Sequence, residues 1–123
     1  MIYRICGRKN AMNNITSLKR NNDFRRLYVR GKSYAGGYTV IYVSKNRFGI
    51  NRVGLTVSKS VGKAVVRNRL KRLMRESYRL LSDKLCKGYD IIIVSRNRAV
   101  GKTQPQIMKD IEYAMRKLGL IES

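Results

Sequence analysis

Histidine is absent from this 123-residue chain, which removes the commonest general base and the commonest metal ligand together. Acids are scarce too, with 7 Asp and Glu against 28 Lys and Arg. A nuclease centre built from protein groups needs clustered carboxylates, yet Asp23, Asp83, Asp90 and Asp110 fall in three predicted helices and a strand, which argues against one. The two cysteines, Cys6 and Cys86, are far apart and in no metal-binding spacing, so neither a disulfide framework nor a zinc site is signalled, and a reduced cytosolic setting is expected. No stretch approaches the roughly 20 apolar residues of a membrane span. Near the N-terminus, Ile2, Tyr3 and Ile5 are interrupted by Arg4, Arg8 and Lys9, unlike the continuous apolar core of a signal peptide. Repeats, linkers and low-complexity segments are also missing, so the length and a 43% hydrophobic fraction fit one domain with a modest core.

What is present is positive charge. A net +21 repels itself unless a polyanion supplies counter-charge, and nucleic acid is the leading partner, ahead of an anionic membrane surface. Residues 1–20 are polar and basic without a sustained period and read as a disordered or loosely docked arm, within which Met12 offers an alternative start. From 21 to 123 the pattern is that of a single RNA-binding domain. Asn21 or Asn22 can cap a short first helix, with Asp23 in its first turn and Phe24, Leu27 and Tyr28 on one face before Gly31.

Residues 38–44 and 53–58 are β-branched and aromatic, with a turn-like segment at 45–51 between them, and are expected to pair as an antiparallel hairpin. In the second of these, Val53, Leu55 and Val57 share one face, while Gly54, Thr56 and Ser58 share another that is expected to stay open to a ligand. Residues 62–81 read as the longest helix. Val66, Leu70, Leu73, Met74, Ser77, Leu80 and Leu81 form its apolar arc, opposite Arg67, Asn68, Lys71, Arg72, Arg75 and Arg79. Residues 89–95 are apolar on both faces and follow a crossover helix, which predicts a buried strand parallel to a neighbour. Thr103 and Gln106 form a capping box around Pro105, and the helix they open carries Ile107, Ile111, Ala114, Met115 and Leu118 before stopping at Gly119. The fold class is α/β or α+β: a two-layer sandwich of helices packed on a small mixed sheet.

The densest functional signal runs from Ser58 to Arg75. It holds Lys59, Lys63, Arg67, Arg69, Lys71, Arg72 and Arg75 with no acid before Glu76. A solvated helix face would interleave acids at i, i+4, so the repulsion here points to relief from an external anion. Arginine at four of the seven positions suits bidentate phosphate contact, and the helix N-terminus offers backbone donors to another phosphate. A second cluster, Phe24, Tyr28, Tyr34, Tyr38 and Tyr42, lies among cations such as Arg25, Arg26 and Lys59. It can stack single-stranded bases, although Phe24 and Leu27 at helical spacing also fit a core.

The strand Val53-Gly-Leu-Thr-Val-Ser-Lys59, followed by residues 62–66 and then Arg67-Asn68-Arg69-Leu70-Lys71-Arg72, resembles the signature of the bacterial ribonuclease P protein subunit. Residues 18–24 look like that family's opening and 89–96 like its last strand, so the likeness spans roughly 17–118. The resemblance implies a four-stranded mixed sheet with three helices and a left-handed βαβ crossover. It also implies a cytoplasmic ribonucleoprotein that removes the 5′ leader of precursor tRNA, with Mg2+ held mainly by the catalytic RNA subunit. On that reading the protein has no catalytic residue and needs neither a membrane nor a protein partner, and whether it binds a metal itself stays open. Lys63, Arg67, Asn68, Arg69, Lys71, Arg72 and Arg75 would contact the RNA subunit; Phe24, Tyr28, Tyr42, Thr56, Ser58 and Lys59 would line the leader cleft. The segment before Leu18 is longer than the family's usual start. The alternative reading is a basic ribosomal or other structured-RNA-binding protein without a processing role.

Overall fold

A computed structural model describes residues 16–18 and 21–121. The elements in chain order are β1 (Thr16–Ser17), α1 (Asn21–Arg30), β2 (Lys32–Ala35), β3 (Thr39–Lys45), β4 (Arg52–Thr56), α2 (Ala64–Leu81), β5 (Tyr89–Ser95) and α3 (Gln104–Lys117). The sheet order is β1-β4-β5-β3-β2: four strands of four to seven residues, extended at one edge by the two-residue β1. The expected mixed sheet with three helices is thus present. Most of the proposed 1–20 arm lies outside the described residues. Its end does not hang free, because β1 pairs with β4 in parallel and Leu18 is buried.

The expected hairpin between residues 38–44 and 53–58 does not form. β5 lies between them, antiparallel to β3 and parallel to β4. The reason is in β5 itself: Ile91, Ile92 and Ile93 are all fully buried, and only a strand with neighbours on both edges and cover on both faces satisfies such a run. β3, by contrast, alternates, burying Thr39, Ile41 and Val43 and leaving Val40, Tyr42 and Ser44 half-buried.

α2 and α3 cover the face of Ile41, Val43, Val53, Ile91 and Ile93 and form the main core. In α2 the buried arc is Leu70, Met74, Ser77, Tyr78 and Leu81; Tyr78 takes the inward place expected of Leu80, which is 46% exposed. The capping box of α3 is present: Thr103 Oγ1 accepts the Gln106 N–H, and Gln106 Oε1 accepts the Thr103 N–H at 2.9 Å. α3 ends at Gly119, whose φ of 83° favours glycine. Asp110 ties α3 to the sheet, accepting the N–H groups of Gly37, Tyr38 and Thr39 at 2.8–3.2 Å and the Thr39 hydroxyl at 2.8 Å.

Burial pushes the Tyr78 phenol up to about 12, because an apolar interior disfavours its charged form. The unfolded chain gives up this proton near pH 10, whereas the folded chain holds it to about 12, so stability is lost as pH rises through that window. Tyr78→Phe removes this contribution. Its denaturation midpoint should fall less steeply than that of the parent between pH 10 and 12, measured by urea unfolding at fixed pH steps; parallel slopes would show a solvated phenol.

Candidate RNA interface

α2 starts after Lys63, whose side chain makes no capping bond, so first-turn N–H groups point outward beside the lysine. Lys63, Asn68, Arg69, Arg72 and Arg75 are exposed, and Arg67 and Lys71 half-buried. Two of these side chains are oriented by the protein: Arg67 Nε donates to the Gly62 carbonyl at 3.2 Å and Arg69 Nη2 to the Lys102 carbonyl at 3.4 Å. The first acid, Glu76, is engaged by Arg79, whose hydrogen bonds hold the carboxyl below its usual range. Arg79, expected on the basic arc, is therefore locally neutralised, and the cationic face ends at Arg75.

The opposite sheet face is not wholly open as the strand pattern suggested. α1 crosses it, and Leu27 buries onto Ile92 with Leu18, Phe24, Tyr42 and Val94 around them. Gly54 permits this approach: a methyl there would stand 2.5 Å from Cζ of Phe24. Tyr28 meets Tyr42 edge to face, with centroids 4.8 Å apart, a favoured aromatic geometry. The register aligns Thr56 with Val94 and Val94 with Val40, a half-buried row beyond α1.

Phe24, Tyr28, Tyr42 and Thr56 thus lie on one face of the sheet, with Tyr28 42% exposed at its edge. Ser58 and Lys59 are exposed just past the end of β4, on the segment leading to α2; the Ser58 and Ser60 hydroxyls pair at 2.7 Å. Tyr34 and Tyr38 leave the predicted aromatic cluster and pack against the main core, because their backbone positions face α3. Val40 and Val94 escaped the sequence reading. Their only signal was an apolar side chain on the outward phase of a strand.

Two carboxylates and a cation far apart in sequence also meet. Arg52 donates from Nε and Nη2 to Asp90 at 2.8 and 2.7 Å, and its Nη1 lies 3.6 Å from Asp23. Asp23 and Asp90 come together, against the scattering expected, but around an arginine. Hydrogen bonding to Asp90 holds the Arg52 guanidinium more firmly protonated. With both carboxylates nearly buried, Arg52 serves chiefly to offset charges that would be costly alone.

An α+β domain whose basic helix carries no acid before Glu76, beside an aromatic sheet face, has the equipment of a nucleic-acid-binding scaffold. Residues 12–119 match the family model described as Ribonuclease P. The ribonuclease P protein component of Alkaliphilus oremlandii is 46% identical over 112 residues, covering 91% of this chain and 98% of that protein. That of Clostridium botulinum (strain 657 / Type Ba4) is 46% identical over 104 residues, covering 84% and 94%. The RNase P protein of Staphylococcus aureus superposes with a TM-score of 0.80 at 32% identity, covering 89% of this chain and all of the other. That of Thermotoga maritima gives 0.74 at 29% identity, covering 87% and 98%. The chain belongs to the ribonuclease P protein family, as a protein component of that endoribonuclease with its role in tRNA 5′-end processing.

The close approach of Phe24 to Gly54 generates a test of the groove's construction. Gly54→Ala should cost about 1–3 kcal/mol through overpacking, and Phe24→Leu in the same chain should recover part of that loss in a double-mutant cycle read by denaturant melts. Strictly additive losses would show that the two positions do not touch.

Proposed function

We propose that this chain holds two RNAs at once: the catalytic RNA subunit on the exposed face of α2, and the 5′ leader of precursor tRNA in the groove of Phe24, Tyr28, Tyr42 and Thr56. The observation that carries this reading is that seven cations from Lys59 to Arg75 include no acid, with the aromatic groove one strand end away. Lys63, Arg67, Asn68, Arg69, Lys71, Arg72 and Arg75 supply phosphate and sugar contacts, which give affinity and register rather than sequence readout. In the groove, Tyr28 and Tyr42 offer ring faces and edges to unpaired bases, Phe24 supports them from below, and Ser58 and Lys59 meet the backbone where it leaves toward α2. The work of the chain is to bind and orient.

The described side chains do not form a magnesium cage: no three potential metal ligands converge among them. Asp23 and Asp90 are taken up by Arg52, Glu76 by Arg79, and Glu112 by Lys84 and Arg116. We infer that the Mg2+ ions of the reaction are held mainly by the RNA subunit. No helix among the described residues is long and apolar enough to cross a membrane, and the cytoplasm, where precursor tRNA is made, is the proposed site of action, with no protein partner required. The rival reading, a ribosomal or other structured-RNA-binding protein without a processing role, accounts for the charge but not for family membership.

Purified protein alone should leave precursor tRNA intact yet lower the magnesium and substrate concentrations that the bacterial catalytic RNA needs. Cleavage without RNA, or no effect on the RNA's activity, would overturn the reading. Arg69→Ala should weaken binding to the RNA subunit and make its salt dependence shallower by about one unit of slope, as measured by filter binding across a salt series. Tyr42→Ala should narrow the discrimination between precursor and mature tRNA by about 1–3 kcal/mol, whereas equal losses for both substrates would remove Tyr42 from the leader site.

A further inference from the structure

α1 divides its sheet face into two grooves. Phe24 and Tyr28 lie on the side of Thr56 and Val94. Asp23, Arg26 and Arg30 lie on the other side, over the row in which Arg52 registers with Asp90 and Asp90 with Ser44. On that second side, between α1 and the turn joining β3 to β4, is a cavity of about 610 Å³ whose walls include Arg26, Arg30, Lys45, Arg47 and Phe48.

Charge balance there favours an anion. With Arg52 the cavity carries five cations against two carboxylates, Asp23 and Asp90, and Arg52 already binds both. Arg30, Lys45 and Arg47 have no side-chain hydrogen bond or ion pair among the described residues, so their donors face solvent. Phe48 is 60% exposed, an unusual position for a phenyl ring, and it is not loosely presented. Asn46 Oδ1 accepts the Phe48 N–H at 2.9 Å, while Asn46 Nδ2 donates to the Ile50 carbonyl and to Asp90 at 3.0 and 2.8 Å. Buried Asn51 fixes the far end of the turn, donating to the Cys86 carbonyl at 2.8 Å and accepting the Tyr89 N–H at 2.9 Å. The Arg52 guanidinium stands 4.5 Å from the centre of the Phe48 ring.

We propose that this cavity is a second RNA groove, in which Arg30, Lys45 and Arg47 take successive phosphates of a strand and Phe48 stacks one of its bases. The proposal rests on the reading of the chain as an RNA-binding scaffold and adds a surface to it on the far side of α1 from the leader groove. Planar guanidinium forks match phosphate oxygens, and a ring already fixed by its turn loses little further freedom when a base stacks on it. An acidic peptide would satisfy the cations but would leave Phe48 without a flat partner.

The test uses the reconstituted holoenzyme and two RNAs measured separately: the catalytic RNA binding the protein, and precursor tRNA binding the holoenzyme. Arg30→Gln with Arg47→Gln should make the salt dependence shallower by about two units in one of the two titrations, and Phe48→Ala should weaken that same complex about 5- to 150-fold. A change confined to the first titration assigns the groove to the catalytic RNA, and one confined to the second assigns it to the substrate. Unchanged slopes and affinities in both, with melting curves matching the parent, would overturn the proposal, as would loss of binding to an acidic peptide with RNA binding intact. The two arginine variants remove no internal bond, so they report even if Phe48→Ala unfolds. Arg69→Ala run alongside separates the failures: an effect there without one at Arg30 and Arg47 rejects only the second groove, and no effect at either rejects the scaffold reading as well.

Discussion

Two-sided burial of β5 is the constraint on which the rest of the molecule depends. Three consecutive isoleucines with no exposed phase demand neighbours on both edges and apolar cover on both faces. The edges come from β3 and β4, which the strand separates. One face is covered by α2 and α3, long helices whose apolar arcs make the main core. The other is covered by Leu18 and by α1, whose ten residues span only about 15 Å. A helix that short shields Ile92 but cannot cover the sheet, and strips on either side of it stay uncovered, the surfaces proposed above to bind RNA. The proposed grooves are thus what remains after the minimum cover that β5 requires.

Charge is distributed by the same economy. The acids are few, and three of the seven, Asp23, Asp90 and Asp110, are spent as acceptors within the fold. Asp110 gathers the turn before β3, and Asp23 and Asp90 close around Arg52. Their consumption as structural acceptors leaves the outer faces of α1 and α2 cationic. A ring of exposed ion pairs would have added little stability and would have screened the surface from RNA.

Where a residue's role depends on local periodicity, it was readable from the chain. The inward arcs of α2 and α3, the Thr103 capping box, the two-sided burial of β5 and the acid-free face from Lys63 to Arg75 are examples, because each is written in spacings of one to four residues along a single element. What escaped depends on which elements become neighbours. The hairpin expectation failed because adjacency in sequence was taken for adjacency in the sheet. Tyr34 and Tyr38 are near Tyr42 along the chain, but Tyr34 registers with the inward-facing Ile41, and Tyr38 sits in the turn that Asp110 ties to α3. The Asp23–Arg52–Asp90 bridge joins a helix to two strands at separations no spacing rule covers, and Phe24 over Gly54 became visible only when α1 had a place to lie.

The position of α1 has a mechanical side as well. One face of this helix is clamped by the Arg52 bridge at its first turn, while its far end leans on Tyr42 through an edge-on tyrosine contact that can slide without breaking a covalent or ionic tie. A helix seated in this way sets, through one backbone, the height above the sheet of the groups on both its flanks, Phe24 and Tyr28 on one and Arg26 and Arg30 on the other, so a substitution that unseats Leu27 would disturb both sets together.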